Sequence, residues 1–257
     1  MKKGLRIVLV LMLIVSLVAV VGCSNQSPAA DEAKVLKVGS DIAYAPFEYY
    51  DKDQKATGFD IELLTAIAED LGYTVDFESA PFDGLITSVQ QGKYDCIISA
   101  MTIKEDRAKS VLFSDPYFKA VQYIAFNKGE NFEKIADLAG QKIGVQLNTT
   151  GQYAVEDAGM NPEKFKFLPD ALNALLIGGV DVVVADNQPV LVFIENNPNA
   201  NIECVVADTE DEFYGIAMKL GNTELAEGIN TTLAKFKENG KYAEIYSKWF
   251  KGEVPTF

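Results

Sequence analysis

The chain has 257 residues, 48% hydrophobic and 23% charged, enough apolar material for one large or two modest packed domains. Its formal net charge is −14, with 23 Lys and Arg against 37 Asp and Glu, an acidic balance that argues against nucleic acid and anionic lipid surfaces as partners. It contains no histidine, which removes Ser-His-Asp and Cys-His catalysis and the commonest metal ligand.

Lys2, Lys3 and Arg6 precede an apolar run from Ile7 to Val21 that only Ser16 interrupts. This reads as a secretory signal over residues 1–22, short for a membrane span. The following Val20-Val21-Gly22-Cys23 resembles the lipobox of bacterial lipoproteins. The resemblance implies cleavage before Cys23, lipidation of that residue by acyl chains such as palmitate, and retention at the outer face of a membrane. A signal anchor with an incidental cysteine is the alternative. Removing the three leader cations takes the charge from −14 to −17. "SNQSPAADEAK", Ser24 to Lys34, is small, polar and proline-containing, and residues 23–34 are expected to form a lipidated start and flexible tether.

From Lys37 onward, short apolar strands alternate with helices, the pattern of an α/β domain with parallel strands. "LKVGS" is predicted as a strand. "FDIELLTAIAEDLG" is predicted as a helix, with apolar residues at 59, 61, 63, 64, 67, 68 and 71, stopped by Gly72. "TVDFES" (strand), "FDGLITSVQQGK" (helix) and "YDCIISA" (strand) complete a first block. "YFKAVQYIAFNKG" is an extended segment suited to crossing between lobes. A second block then repeats the grammar: strands "QKIGVQL", "KFKFL", "VDVVVA" and "NIECVVA" alternate with helices "TTGQYAVEDAG", "DALNALLIGG" and "NQPVLVFIENN". "SVQQGKYDCIISA" and "ALLIGGVDVVVAD" look like one structural module used twice. "EFYGIAMK" forms a second crossing, and the tail from Asn222 to Phe250 is helical, divided at Gly240. Cys96 and Cys204 fall in strands of different blocks. Export would permit a disulfide, but their placement favours two buried free thiols.

No phosphate-binding glycine motif occurs. "DKDQKATGFDIE", Asp51 to Glu62, fits a calcium loop only superficially, because Lys55 and Ala56 occupy its fifth and sixth places; it reads as a solvated turn. Polar residues instead collect just after strands: Asp41, Tyr44 and Glu48 in "SDIAYAPFEYY", Phe82 in "APFDG", Ser99 to Arg107 in "SAMTIKEDR", "QLNTTGQ", and "ADNQP". Ligands of open α/β sheets bind beyond the carboxyl ends of strands.

"GSDIAYAPFEYYDKDQKATGFDIELLTAIAEDLG", "ISAMTIKEDRAKSVLFSDPYF" and "ENGKYAEIYSKWF" resemble the polar amino-acid-binding proteins of ABC importers, the extracellular solute-binding family 3 that includes glutamine- and lysine/arginine/ornithine/histidine-binding proteins. The similarity runs from Lys37 to Phe250. It implies a two-lobe, periplasmic-binding-protein type II α/β fold with a two-segment hinge near 119–122 and 212–215. Lobe 1 would combine residues 35–120 with 214–257, and lobe 2 would span 121–213. It also implies a non-enzymatic, monomeric subunit that needs no cofactor, catalytic residue or metal and delivers its ligand to a membrane permease; the lipobox resemblance adds the lipid anchor.

A free amino acid is a zwitterion, so its site needs a cation and donors for the carboxylate and an anion for the ammonium. By the resemblance Arg107 clamps the carboxylate, Thr102 supports it, and Thr149 and Thr150 stand at a helix N-terminus that supplies further donors. Asp186 takes the ammonium, Tyr44 and Phe82 sandwich the ligand's stem, Asp41 lies near its far end, and Ser99 makes a further contact. Each has a plainer reading: a surface ion pair for Arg107, helix caps for Asp186 and the threonines, a turn for Asp41, and core packing for the aromatics. Ala100 departs from the family, where a hydroxyl residue or glycine is frequent, and Asn148 stands where glycine is frequent. Asp41 and the acidic body favour arginine or lysine, with glutamine close behind. Two other readings stay open, a dehydratase on the same fold acting on cyclohexadienyl acids and an amino-acid-sensing lipoprotein without transport.

Overall fold

The computed structural model describes residues 34 to 255, so the expected signal sequence, Cys23 and most of the expected tether lie outside the described residues. In chain order the first block comprises β1 (Lys34–Ser40), β2 (Tyr49–Tyr50), β3 (Ala56–Thr57), α1 (Phe59–Asp70), β4 (Tyr73–Ser79), α2 (Phe82–Gln90), β5 (Cys96–Ile97), α3 (Glu105–Ala108) and β6 (Val111–Phe113). The second comprises β7 (Phe118–Ala120), β8 (Gln122–Asn127), β9 (Ile143–Gln146), α4 (Thr150–Asp157), β10 (Glu163–Phe165), α5 (Leu168–Leu176), β11 (Val182–Asp186), α6 (Asn187–Asn196) and β12 (Ile202–Val206). The chain returns through β13 (Glu212–Tyr214) and β14 (Ala217–Lys219), then ends in α7 (Thr223–Asn239) and α8 (Lys241–Trp249).

Two five-stranded sheets, each flanked by helices, form the two lobes, with strand orders β4-β1-β5-β14-β6 and β10-β9-β11-β8-β12. The expectation of parallel strands holds only in part. β1 is parallel to β4 and β5, and β9 to β10 and β11, but β14 and β8 run antiparallel to both of their neighbours. Parallel neighbours need a crossover connection, usually a helix. β8 and β14 instead follow directly from β7 and β13, the antiparallel ribbon joining the lobes, and so enter their sheets running the opposite way.

Local sequence accounts for most of these elements. α1 buries Phe59, Ile61, Leu63, Leu64 and Ile67, the periodic apolar face. It starts at Gly58 because φ is 130° there and a Cβ would lie 2.1 Å from the Phe47 carbonyl oxygen. Asp51 closes the β2–β3 turn by accepting from the backbone N–H groups of Asp53 (2.8 Å) and Lys55 (2.9 Å). β5 is shorter than the apolar run predicts, since Ala100, at φ 44°, turns the chain out of the sheet. Cys96 in β5 and Cys204 in β12 are free thiols in different sheets, but only Cys96 is buried as expected, Cys204 being half-buried.

The C-terminal helices pack on α1. Phe59 sits among the rings of Phe250 (5.1 Å between centroids), Phe118 (5.8 Å), Tyr246 (6.0 Å) and Tyr242 (6.1 Å). The Trp249 indole N–H donates to Glu62 at 2.9 Å, and the Tyr242 hydroxyl donates to the Tyr117 carbonyl at 2.7 Å. Phe59→Ala should therefore lower the free energy of unfolding by about 3–5 kcal/mol. Chemical denaturation measures this, and a loss below about 1 kcal/mol would show that Phe59 does not hold the tail to the core.

Candidate ligand-binding site

The polar clusters after the strands converge between the lobes. Every sequence-predicted site residue except Asn148 lines one cavity, together with Glu48 and Gln146. The space between its walls totals about 280 Å³, yet only about 10 Å³ admits the centre of a water molecule. The lobes stand closed on a narrow slot, and admitting an amino acid requires them to part.

Arg107 lies in α3, buried to 6% exposure, so the surface ion-pair reading with Glu105 or Asp106 does not hold. Among the described residues its guanidinium pairs with no carboxylate. It donates to two backbone carbonyls, Thr102 (2.9 Å) from lobe 1 and Asn148 (2.8 Å) from lobe 2, and its carbon lies 5.2 Å from the centre of the Phe82 ring. A guanidinium carries five N–H groups in a fixed fork and stays protonated, so donors remain after these two contacts. Burial lowers its pKa, which measures how much the charge loses by leaving water. Asn148, at φ 62°, occupies a left-handed turn and serves Arg107 through its backbone.

Asp186 ends β11 and occupies the N-cap position of α6, but its carboxylate caps nothing. It accepts from the hydroxyls of Tyr44 (2.8 Å) and Tyr214 (2.5 Å) and from the Gln122 amide. Burial, with Glu212 nearby, pushes it up from 3.8 to about 6, against the pull of these donors. Thr149 does cap α4, accepting from the Gln152 N–H, and its hydroxyl donates to the Gln146 carbonyl at 2.7 Å. Thr150 begins that helix. Glycine follows because a Cβ at Gly151 would come within 2.7 Å of the Val184 carbonyl oxygen.

Asp41 follows β1. Its backbone N–H donates to the Ser99 hydroxyl (2.9 Å), which in turn donates to Glu48 (2.9 Å). The Gln146 amide donates across the cleft to Asp41 Oδ2 at 2.7 Å, while the buried Oδ1 has no partner among the described residues. Burial pushes the Asp41 carboxyl from 3.8 to about 7, aided by the charge of Asp83 and opposed by the Gln146 hydrogen bond. The N–H of Ala100 donates to Asp60 (2.8 Å), so this backbone group serves the fold rather than the cavity. Glu48 and Asp60 are fully buried with no ion-pair partner among the described residues. Burial raises both, and Asp60 raises Glu48 further.

Sequence reasoning passed over Gln146, Gln122, Tyr214 and Glu212. Gln146 carried a signal, as the one polar side chain in the otherwise apolar strand "IGVQ". The other three lie on the crossing segments, which the sequence marks only as extended.

This arrangement of two α/β lobes around a polar cleft, joined by a two-stranded ribbon, defines a solute-binding protein of the periplasmic type. Residues 36–252 match the family described as bacterial extracellular solute-binding proteins, family 3, and the chain belongs to that family. It is 34% identical over 249 residues to a probable histidine-binding protein of Neisseria gonorrhoeae, covering 93% of each chain. An ancestral arginine-binding protein bound to arginine superposes with a TM-score of 0.81 at 44% identity, over 84% of this chain and 98% of that one. The arginine-, lysine-, histidine-binding protein ArtJ of Geobacillus stearothermophilus gives 0.82 at 39% identity, over 86% and 97%.

The raised Asp41 has a consequence for stability. A carboxyl titrating near 3.8 unfolded and about 7 folded favours the folded state when protonated, a contribution fully present below pH ~4 and lost as pH rises through ~7. Asp41→Asn removes that dependence. Melting temperatures of the two ligand-free proteins should therefore run parallel below pH ~4, diverge in favour of the variant between pH ~4 and ~7, and run parallel again above that. A constant difference across that range would show that Asp41 is already ionised in the fold.

Proposed function

We propose that the chain is the extracytoplasmic substrate-binding subunit of an ABC importer for a polar α-amino acid, with arginine or lysine preferred and glutamine next. The observation that carries this reading is the buried Arg107 guanidinium, which opens onto the cavity with no carboxylate of its own. The stable occupant of such a place is an anion that completes the fork. Asp186, at the end of β11, supplies the opposite charge for an ammonium, and the Asp41 carboxyl, which also lines the cavity, suits a cationic or amide side chain. The names of the relatives, histidine- and arginine-binding proteins, support the same class of ligand.

The ligand's carboxylate meets Arg107 on the first lobe, and closure brings up Asp186 and Thr150 from the second. Tyr44 and Phe82 cover the stem between them. The ligand stabilises the closed form by its differential affinity for it, and the closed form is what the permease would read. The ribbon of β7 and β13 is the hinge, with lobe 1 as 35–120 plus 214–257 and lobe 2 as 121–213. The protein binds without transforming its ligand, as a monomer, and is held at the membrane by acyl chains on Cys23 after cleavage of residues 1–22.

A thermal-shift screen of the twenty amino acids on the mature chain tests this, and no response to any of them would overturn it. Arg107→Ala should weaken the best ligand by about a hundredfold or more with far-ultraviolet dichroism unchanged; retained affinity would leave Arg107 a structural cation. Arginine binding near pH 6 should release up to about one proton from Asp41 as it ionises beside the ligand's cation, in addition to what Asp186 releases to the α-ammonium of either ligand, so glutamine should release less. Calorimetry in buffers of different ionisation enthalpy reads the difference, and equal release would argue against Asp41 as the group facing the side chain.

A further inference from the structure

Glu212 does not line the cavity, yet it touches residues that do from both lobes. It begins β13, paired with Ala120 of β7. Its neighbours bind the turn that carries Thr102: the Ile103 N–H donates to the Phe213 carbonyl (2.8 Å) and the Gly215 N–H to the Met101 carbonyl (3.0 Å). This register sets Glu212 beside Thr102. The Thr102 hydroxyl donates to Glu212 Oε2 at 2.6 Å, the Thr150 hydroxyl donates to the same oxygen at 2.8 Å, and the Gln122 amide donates to Oε1 at 3.1 Å.

A hydroxyl has one proton and two lone pairs. With both protons directed to Glu212, Thr102 and Thr150 can offer a ligand only lone pairs, and one of those on Thr150 already accepts from Gln122 at 3.1 Å. A lone pair repels a carboxylate and accepts from an ammonium. Arg107 therefore receives no help from these hydroxyls in holding an anion, while Asp186 gains two neutral acceptors of the same polarity. Thr102 supports Arg107 through its backbone carbonyl instead.

We infer that Glu212 is a positioning residue for specificity: by taking the protons of Thr102 and Thr150, one hydroxyl from each lobe, it makes both acceptors for the ligand's α-ammonium and closes the ammonium end of the site only when the lobes meet. The inference rests on the amino-acid reading above and adds to it a selectivity for α-amino acids over the corresponding plain acids.

Glu212→Gln tests it. The Gln122 amide, which also donates to Asp186, holds the glutamine oxygen at the Oε1 place, so the glutamine NH2 donates where Oε2 accepted and frees the threonine protons to turn towards the ligand. Calorimetry on the full mature chain would use arginine against 5-guanidinopentanoate, its analogue without the α-ammonium, and glutamine against 4-carbamoylbutanoate, with weak analogues measured by competition. The variant should weaken the amino acids about tenfold or more and leave the plain acids within about twofold. Glu212→Gln combined with Thr102→Val should weaken arginine by less than the sum of the two single variants, since they share the Thr102 hydroxyl while Thr150 responds to Glu212→Gln alone. Equal weakening of amino acids and plain acids, or additive effects in the double variant, would reduce Glu212 to a structural hinge contact and overturn the inference. A wild-type chain that binds arginine with Glu212→Gln unchanged overturns this assignment alone. A wild-type chain blind to every amino acid overturns the reading of function and this inference with it.

Discussion

The arrangement depends on keeping one guanidinium dry without giving it a carboxylate. A buried charge is costly unless paired, and hydrogen bonds to backbone carbonyls offset only part of that cost. Arg107 takes one carbonyl from each lobe, Thr102 and Asn148, so its solvation is complete only when the lobes are together. The positive φ at Ala100 and Asn148 follows from the same need, since each turn must leave its strand abruptly to bring its residues to the cleft. The most specific chemistry of the molecule thus sits where the backbone is least regular, and the two sheets hold those irregular turns in place.

Around this cation the fold gathers more carboxyls than it can neutralise. Asp41, Glu48, Asp60 and Asp186 all titrate above their ordinary range, with burial as the largest cause in each case. They are held by neutral donors: tyrosine hydroxyls on Asp186 and Asp60, the Gln146 amide on Asp41, and the Ser99 hydroxyl on Glu48. Neutral donors hold a carboxyl in place without supplying a counter-charge, so a cation from outside can draw it into its ionised form. The result is a cleft whose electrostatics an amino-acid zwitterion completes, with or without a second cationic group on its side chain, and a plain anion does not.

Closure and recognition share side chains. Tyr44 of the first lobe holds Asp186 of the second, Gln146 of the second holds Asp41 of the first, and Glu212 on the ribbon gathers a hydroxyl from each. A ligand admitted to the slot exchanges some of these contacts for its own. Its net effect on closure is the difference between the two sets, and no single contact measures it.

Much of this was legible in the sequence, for a definite reason. Helical periodicity in "FDIELLTAIAEDLG", short apolar runs bounded by turn residues, and polar residues just beyond them are local patterns, and local steric and burial rules produce them directly. They mark α1, the sheet strands and the places after strands where Asp41, Arg107 and Asp186 stand. Glycine at 58 and 151 is likewise a local sign of close backbone approach. Strand direction was not legible. β8 and β14 carry apolar residues like their parallel neighbours, and only their connection through the ribbon makes them antiparallel. Nor did the residue types of Gln122, Glu212 and Tyr214 disclose their part, because a polar residue in an extended segment is ordinary until another segment, distant in sequence, is laid against it. The sequence by itself determined which residues are charged and which elements carry them. Tertiary structure alone decided that Arg107 has no carboxylate partner among the described residues, that the Asp186 carboxylate caps nothing, and that two threonine hydroxyls face Glu212, since each depends on which segment comes to lie opposite.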